Sequence, residues 1–121
     1  MTATERFLQY VTIDTQSKPD CETVPSTQKQ HNLAKLLTEE LHEMGAKNVV
    51  YDTEHCYVYA TISASEGCEK AEPLGLIAHM DTSDAVSGAN VKPRIIEKYA
   101  GGDIQLNDEY TLRVSEFPQV E

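Results

Sequence analysis

The chain has 121 residues, the length of one ordinary domain, and its 40% hydrophobic and 25% charged residues suffice for a core and exclude global disorder. Its 20 acidic residues against 10 basic ones give a net charge of −10, which opposes binding to a nucleic-acid backbone or an anionic membrane. The same charge is compatible with a cationic or zwitterionic small substrate, or serves only to keep the protein soluble.

Neither the cysteines nor the N-terminus indicates a secreted protein. Cys21, Cys56 and Cys68 are odd in number and well separated, with no CxxC pair. They therefore predict reduced thiols rather than a disulfide framework or a Cys-rich zinc site. The first ten residues lack the basic start and apolar core of a secretory signal, and no apolar run approaches the roughly 20 residues that span a bilayer. We expect a soluble, cytoplasmic protein.

The first predicted element is a short helix over Ala3–Val11. Thr2 and Glu5 have the spacing of a capping box at its start, and apolar residues then recur at helical spacing. Residues 12–27 are rich in Thr, Ser, Asp and Pro, which is typical of a loop.

The second predicted helix is the clearest element of the sequence. Thr27 and Gln30 have the spacing of a second capping box, and Gly45 stands where a glycine would end the helix. Between them a stripe of apolar residues predicts one buried face. The stripe consists of Leu33, Leu37, Leu41 and Met44, with Ala34 and Leu36 beside it.

Strands follow the helices. Residues 48–52 and 57–63 are rich in Val, Tyr, Ile and Thr and predict two strands joined by a turn. After a polar loop at 64–73, the continuous apolar run 74–80 predicts a strand covered on both faces. The chain then becomes irregular until a strand-like segment at 110–114. The element order predicts an α/β fold with helices packed on a mixed sheet.

The buried-strand pattern ends at His79, which is followed two residues later by Asp81. Side chains two apart on a strand point the same way, so both could face a pocket beyond the strand end, where ligands bind in open α/β sheets. A zinc-binding histidine usually donates its other ring N–H to a carboxylate, and Asp81 is placed for that role. The alternative is a histidine held by a local hydrogen bond at a strand end. Such pairs arise often by chance, so the spacing alone favours this alternative.

The other histidines give weaker signals. His31 and His42 share a helix face, but they lie roughly 16 Å apart along the axis and cannot bind one metal ion. His55 lies in a predicted turn without a ligand-spaced partner. We interpret all three as surface or helix-face residues. The sequence contains no nucleophile elbow, P-loop or dinucleotide-binding motif.

Several short segments, taken together, resemble the N-terminal part of the tripeptide aminopeptidases in the co-catalytic zinc exopeptidase family. The resemblance covers essentially the whole chain, and its segments occur in one order. They are ERFLQYVTIDTQS at 5–17, VPST at 24–27, EELHEMGAKNV at 39–49, HMDTS at 79–83, SGANVKP at 87–93 and GGDI at 101–104.

The resemblance implies that residues 1–121 are the N-terminal portion of a catalytic domain. By this resemblance His79 matches the family's first zinc ligand, and Asp81 matches the carboxylate that orients this ligand beside the reaction centre. It implies two Zn²⁺ ions, a water that attacks the first peptide bond of a short peptide, and a glutamate that passes the proton to the leaving amine.

The resemblance also implies what the chain lacks. The remaining zinc ligands, the catalytic glutamate and the lid or dimerisation domain would lie beyond residue 121. We therefore expect the chain alone to be inactive, to bind zinc weakly or not at all, and to self-associate through uncovered apolar surface. Two other functions stay open: a non-catalytic interaction module on the same scaffold, and a related dipeptidase or carboxypeptidase-like exopeptidase.

Overall fold

The computed structural model describes residues 1–120. Within them the chain forms two α-helices, two small sheets and a final 3₁₀ turn, which confirms the α/β class. The elements are α1 (Ala3–Tyr10), α2 (Gln30–Glu43), β1 (Lys47–Asp52), β2 (Tyr57–Thr61), β3 (Ile104–Gln105) and β4 (Thr111–Leu112), with the 3₁₀ turn at Pro118–Val120. No helix in this part of the chain is both long and apolar enough to cross a membrane.

The predicted capping box at the start of α1 and the predicted glycine ending of α2 are both confirmed. The capping box at α1 forms, with the Thr2 and Glu5 side chains each accepting the other residue's backbone N–H. At the end of α2, Gly45 adopts a φ of 77° and its N–H donates to the backbone oxygen of His42, while Ala46 donates to that of Leu41. This pair of bonds is the glycine-dependent Schellman ending.

The predicted capping box at the start of α2 is wrong. The helix begins at Gln30 after Lys29, without a side-chain cap. Thr27 instead donates its hydroxyl to the backbone oxygen of Gln16, 2.7 Å away. The hydroxyl oxygen of Thr27 accepts a hydrogen bond from the side-chain Nε2 of Gln30 at 3.1 Å instead of from a backbone N–H of the helix.

The apolar core lies where α2 packs on the β1–β2 hairpin. These two strands are antiparallel, with an irregularity between Lys47 and Val50, and α2 contacts both of them. Leu33, Ala34 and Cys56 are the buried apolar residues of the described chain. The predicted strand pair and the turn between them are thus confirmed.

The predicted mixed sheet is wrong in detail, because the strands form two separate antiparallel pairs, β1 with β2 and β3 with β4. Among residues 1–120, parallel pairing is limited to a single bridge between Gln16 and Thr82. The predicted buried strand at 74–80 is also wrong. This segment has no strand partner among residues 1–120, and Leu76 and Ile77 are 87% and 101% exposed. An apolar run forms a strand only when a neighbour supplies backbone hydrogen bonds, and no described element does so.

Helix α1 is attached to α2 by a buried carboxylate. Glu40 is 5% exposed and accepts hydrogen bonds from the hydroxyl of Tyr10 and, at 3.3 Å, from Nε of Arg6. Burial of the phenol, followed by its bond to Glu40, raises the pKa of Tyr10 from the ordinary 10.0 to about 12. The neutral phenol is therefore favoured in the folded chain.

We predict that this phenol makes stability fall at high pH. A pKa raised on folding contributes stability that is complete below the unfolded value of 10.0 and is lost as pH rises towards the folded value of about 12. The free energy of unfolding, measured by denaturant titration across this interval, should fall less steeply in Tyr10→Phe than in the unsubstituted chain. Tyr110→Phe changes an exposed tyrosine and is the control. Equal slopes for Tyr10→Phe and the unsubstituted chain would contradict the prediction.

We also predict that copies of the chain associate through Leu74–Ala78. The chain exposes 9,912 Å², about 3,400 Å² more than a compact monomer of this size, whereas a standard interface buries about 800 Å² per partner. Leu76 and Ile77 line a groove of about 460 Å³ together with Leu41, Tyr57 and other residues of α2 and β2. An apolar segment of a second copy would cover this surface.

Sedimentation velocity over a range of concentrations tests this association, at about 0.15 M salt so that the net charge is screened. The double variant Leu76→Ser/Ile77→Ser should weaken association, while Ile95→Ser, which alters an exposed apolar residue outside the segment, should not. A monomeric mass at every concentration would refute the prediction.

Candidate functional site

His79 and Asp81 contact each other directly. Nδ1 of His79 lies 2.8 Å from the backbone oxygen of Asp81 and 3.2 Å from its Oδ1. Both neighbours are acceptors, so Nδ1 must carry the proton and donate it. Nε2 is then the nitrogen with the free lone pair, which is the form of imidazole that binds a metal ion.

The His79 side chain is 84% exposed, so Nε2 is accessible to a ligand from outside residues 1–120. Asp81 lies within hydrogen-bond distance of the ring, and its orienting role stays a prediction. The surroundings of the pair differ from those expected, because the apolar residues before His79 were predicted to be buried support and are exposed instead. The hydrogen bond that selects the tautomer is made within two residues and does not require the preceding strand.

The described chain does not contain a complete metal site. Within residues 1–120, no group of three or more His, Cys, Asp or Glu side chains is placed to hold a metal ion. Zinc normally has about three protein ligands in catalytic sites. His79 fits as one ligand and Asp81 as its orienting carboxylate, but this donor set alone does not fit a bound zinc ion.

The remaining histidines are engaged elsewhere or stand apart. Nδ1 of His31 forms a hydrogen bond with the hydroxyl of Tyr51 on β1, so this residue joins α2 to the hairpin. His42 is exposed near the end of α2. Both positions agree with the interpretation of these histidines as helix-face residues.

Sequence reasoning missed one histidine–carboxylate pair, at the turn of the β1–β2 hairpin. Nδ1 of His55 lies 2.9 Å from Oδ2 of Asp52, and the His55 ring stacks on Tyr57 with centroids 6.1 Å apart. The hydrogen bond to Asp52 raises the pKa of His55, and the bond from His55 lowers the pKa of Asp52. Asp52 also accepts two backbone N–H groups of the turn. An aspartate that opens a turn with a histidine three residues later was the available signal, and it indicates a turn-stabilising pair.

The chain is similar to curated proteins named peptidase T. It is 49% identical over 119 residues to peptidase T of Alkaliphilus oremlandii (strain OhILAs), a match that covers 96% of this chain and 29% of the relative. Matches to peptidase T of Clostridium botulinum cover 118 residues, 96% of this chain and 28% of each relative. Identity is 49% for strain 657 / Type Ba4 and 48% for strain Hall. No family model matches the chain. Identity near one half over nearly the whole chain confirms the resemblance drawn from its motifs, and the chain spans less than a third of the length of these relatives.

Proposed function

We propose that residues 1–121 are the N-terminal portion of the catalytic domain of a zinc aminopeptidase that releases the N-terminal residue from tripeptides. The observation that carries the proposal is the His79–Asp81 pair, in which Nδ1 donates to Asp81 and Nε2 faces outward. Similarity to peptidase T over 96% of the chain supports the enzyme over a non-catalytic interaction module or a dipeptidase. The three free thiols are compatible with a cytoplasmic location, which we also propose.

In this proposal His79 supplies one ligand to a site of two Zn²⁺ ions, and the other ligands come from outside residues 1–120. Zinc, when bound, supplies Lewis acidity towards the peptide carbonyl. Asp81 acts through His79: it holds the ring orientation and the Nδ1–H tautomer, and it raises the basicity of Nε2. The short peptide substrate would bind beside this pair.

The chain alone should bind zinc weakly or not at all, because one imidazole provides too few ligands. Calorimetric titration of zinc into the chain tests this expectation, with His79→Ala and His55→Ala as a matched pair of histidine variants. Tight stoichiometric binding that disappears in His79→Ala and persists in His55→Ala would overturn it.

The activity requires the complete reading frame that contains these residues. We expect it to hydrolyse tripeptides, to lose activity with a chelator, and to lose activity in His79→Ala. Asp81→Asn should reduce activity or zinc affinity by about 10- to 100-fold, as is typical when the carboxylate behind a zinc-bound histidine is changed. His42→Ala, on an exposed part of α2, is the control. Cleavage that persists in chelator would refute the zinc mechanism.

A further inference from the structure

The segment that follows Asp81 is attached to the rest of the fold by three consecutive residues, Thr15, Gln16 and Ser17. The backbone N–H of Thr82 donates to the oxygen of Thr15 at 3.2 Å, and both N–H and Oγ of Ser17 donate to the oxygen of Thr82 at 2.9 Å. These bonds surround the parallel bridge between Gln16 and Thr82. The TQS segment, which the sequence marks only as part of the resemblance, therefore lies against the HxD motif.

The side chain of Gln16 extends this attachment beyond Thr82. Its Nε2 donates to the backbone oxygens of Asp84 at 3.4 Å and Val86 at 3.1 Å. Its Oε1 accepts from Nζ of Lys29 at 3.4 Å. Donors and acceptors are matched on both ends of the amide, so its orientation is fixed by its neighbours.

A second layer of contacts holds Gln16 itself. Nζ of Lys29 lies 2.9 Å from the Asp14 carboxylate, and Asp14 accepts the backbone N–H of Gln16 at 3.0 Å. Thr27 donates to the backbone oxygen of Gln16. A methyl group at Gly88 would lie 3.1 Å from Oδ1 of Asp14, so the backbone at Gly88 packs closely against the Asp14 side chain.

This is the hydrogen-bonded attachment of the segment in the described part of the chain. Among residues 1–120, every hydrogen bond that joins residues 74–90 to the rest of the chain ends on Thr15, Gln16 or Ser17. The apolar stretch before His79 has no strand partner there. The hydrogen bonds that place Asp81 in the fold are therefore all made from its C-terminal side.

We propose that Gln16 is a positioning residue for the His79–Asp81 pair: it holds residues 82–86 so that Asp81 faces Nδ1 of His79 and the lone pair of Nε2 stays outward. This role depends on the proposed function at one point, the assignment of the outward Nε2 as a zinc ligand. Without the Gln16 side chain the turn after Thr82 loses its two side-chain hydrogen bonds, and only the bonds of Thr82 to Thr15 and Ser17 still limit the movement of Asp81.

Nitrogen-15 NMR of the His79 ring tests the proposal on the chain itself. At about pH 8, where imidazole is neutral, the unsubstituted chain should show the Nδ1–H tautomer. Gln16→Ala should give a mixture of tautomers, and the Thr82 amide should exchange with solvent up to about 5- to 160-fold faster, the full effect of losing two net hydrogen bonds. Gln9→Ala, which changes an exposed glutamine of α1, should alter neither property.

The amides of α2 and of the β1–β2 hairpin report whether the variant is folded. Should Gln16→Ala unfold, Lys29→Met is the second variant; it leaves Nε2 of Gln16 in place but removes the donor to its Oε1, and a tautomer shift in the same direction is expected. An unchanged His79 tautomer in a folded variant refutes the proposal, even if the Thr82 amide exchanges faster, because Gln16 would then only secure the loop.

The measurement needs neither zinc nor peptide, so its outcome is separate from that of the proposed function. A tautomer shift with no zinc-dependent cleavage in the complete reading frame would refute the enzyme and retain the positioning role. Zinc-dependent cleavage with an unchanged tautomer would refute only the positioning role.

Discussion

Helix α2 lies across the β1–β2 hairpin, and this contact supplies the apolar core on which the described part of the chain depends. Leu33 and Ala34 of the helix and Cys56 at the hairpin turn are buried. Because this core is small, the segments that do not reach it are attached by polar contacts. Helix α1 is attached through Glu40, and residues 79–90 are attached through Gln16.

Polar attachments have a different effect from apolar packing. Each hydrogen bond stabilises the fold by only about 0.5–1.5 kcal/mol net, but it is directional and places its partners within narrow limits of distance and angle. At Glu40 the stabilisation is also reduced by an unpaired acceptor: among residues 1–120 its Oε1 is buried and accepts no hydrogen bond. The attachments through Glu40 and Gln16 therefore orient segments more than they stabilise them.

The sequence predicted the features that depend on near neighbours. The capping box of α1, the glycine ending of α2 and the β1–β2 hairpin all follow from residues a few positions apart, and the structure has them. The strand at 74–80 was wrong because an apolar run indicates only that its residues favour burial. It does not indicate which other element of the fold would cover them. The cap at Thr27 was wrong because the helix begins after Lys29, and the Thr27 hydroxyl contacts Gln16, eleven residues away in the sequence, and the Gln30 side chain.

The same division applies to the site. The acceptors of the His79 Nδ1 proton lie two residues away, so the HxD spacing shows that a local hydrogen bond to this ring is possible. The position of Asp81 in the fold depends on the pairing of Thr82 with residues 15–17, which lie 65 or more residues earlier, and no local pattern reports such a contact. The proposed metal binding by His79 would require both a ring nitrogen with a free lone pair and a fixed direction for that lone pair. A short motif can therefore encode the chemistry of a ligand, while the fold determines where the ligand points.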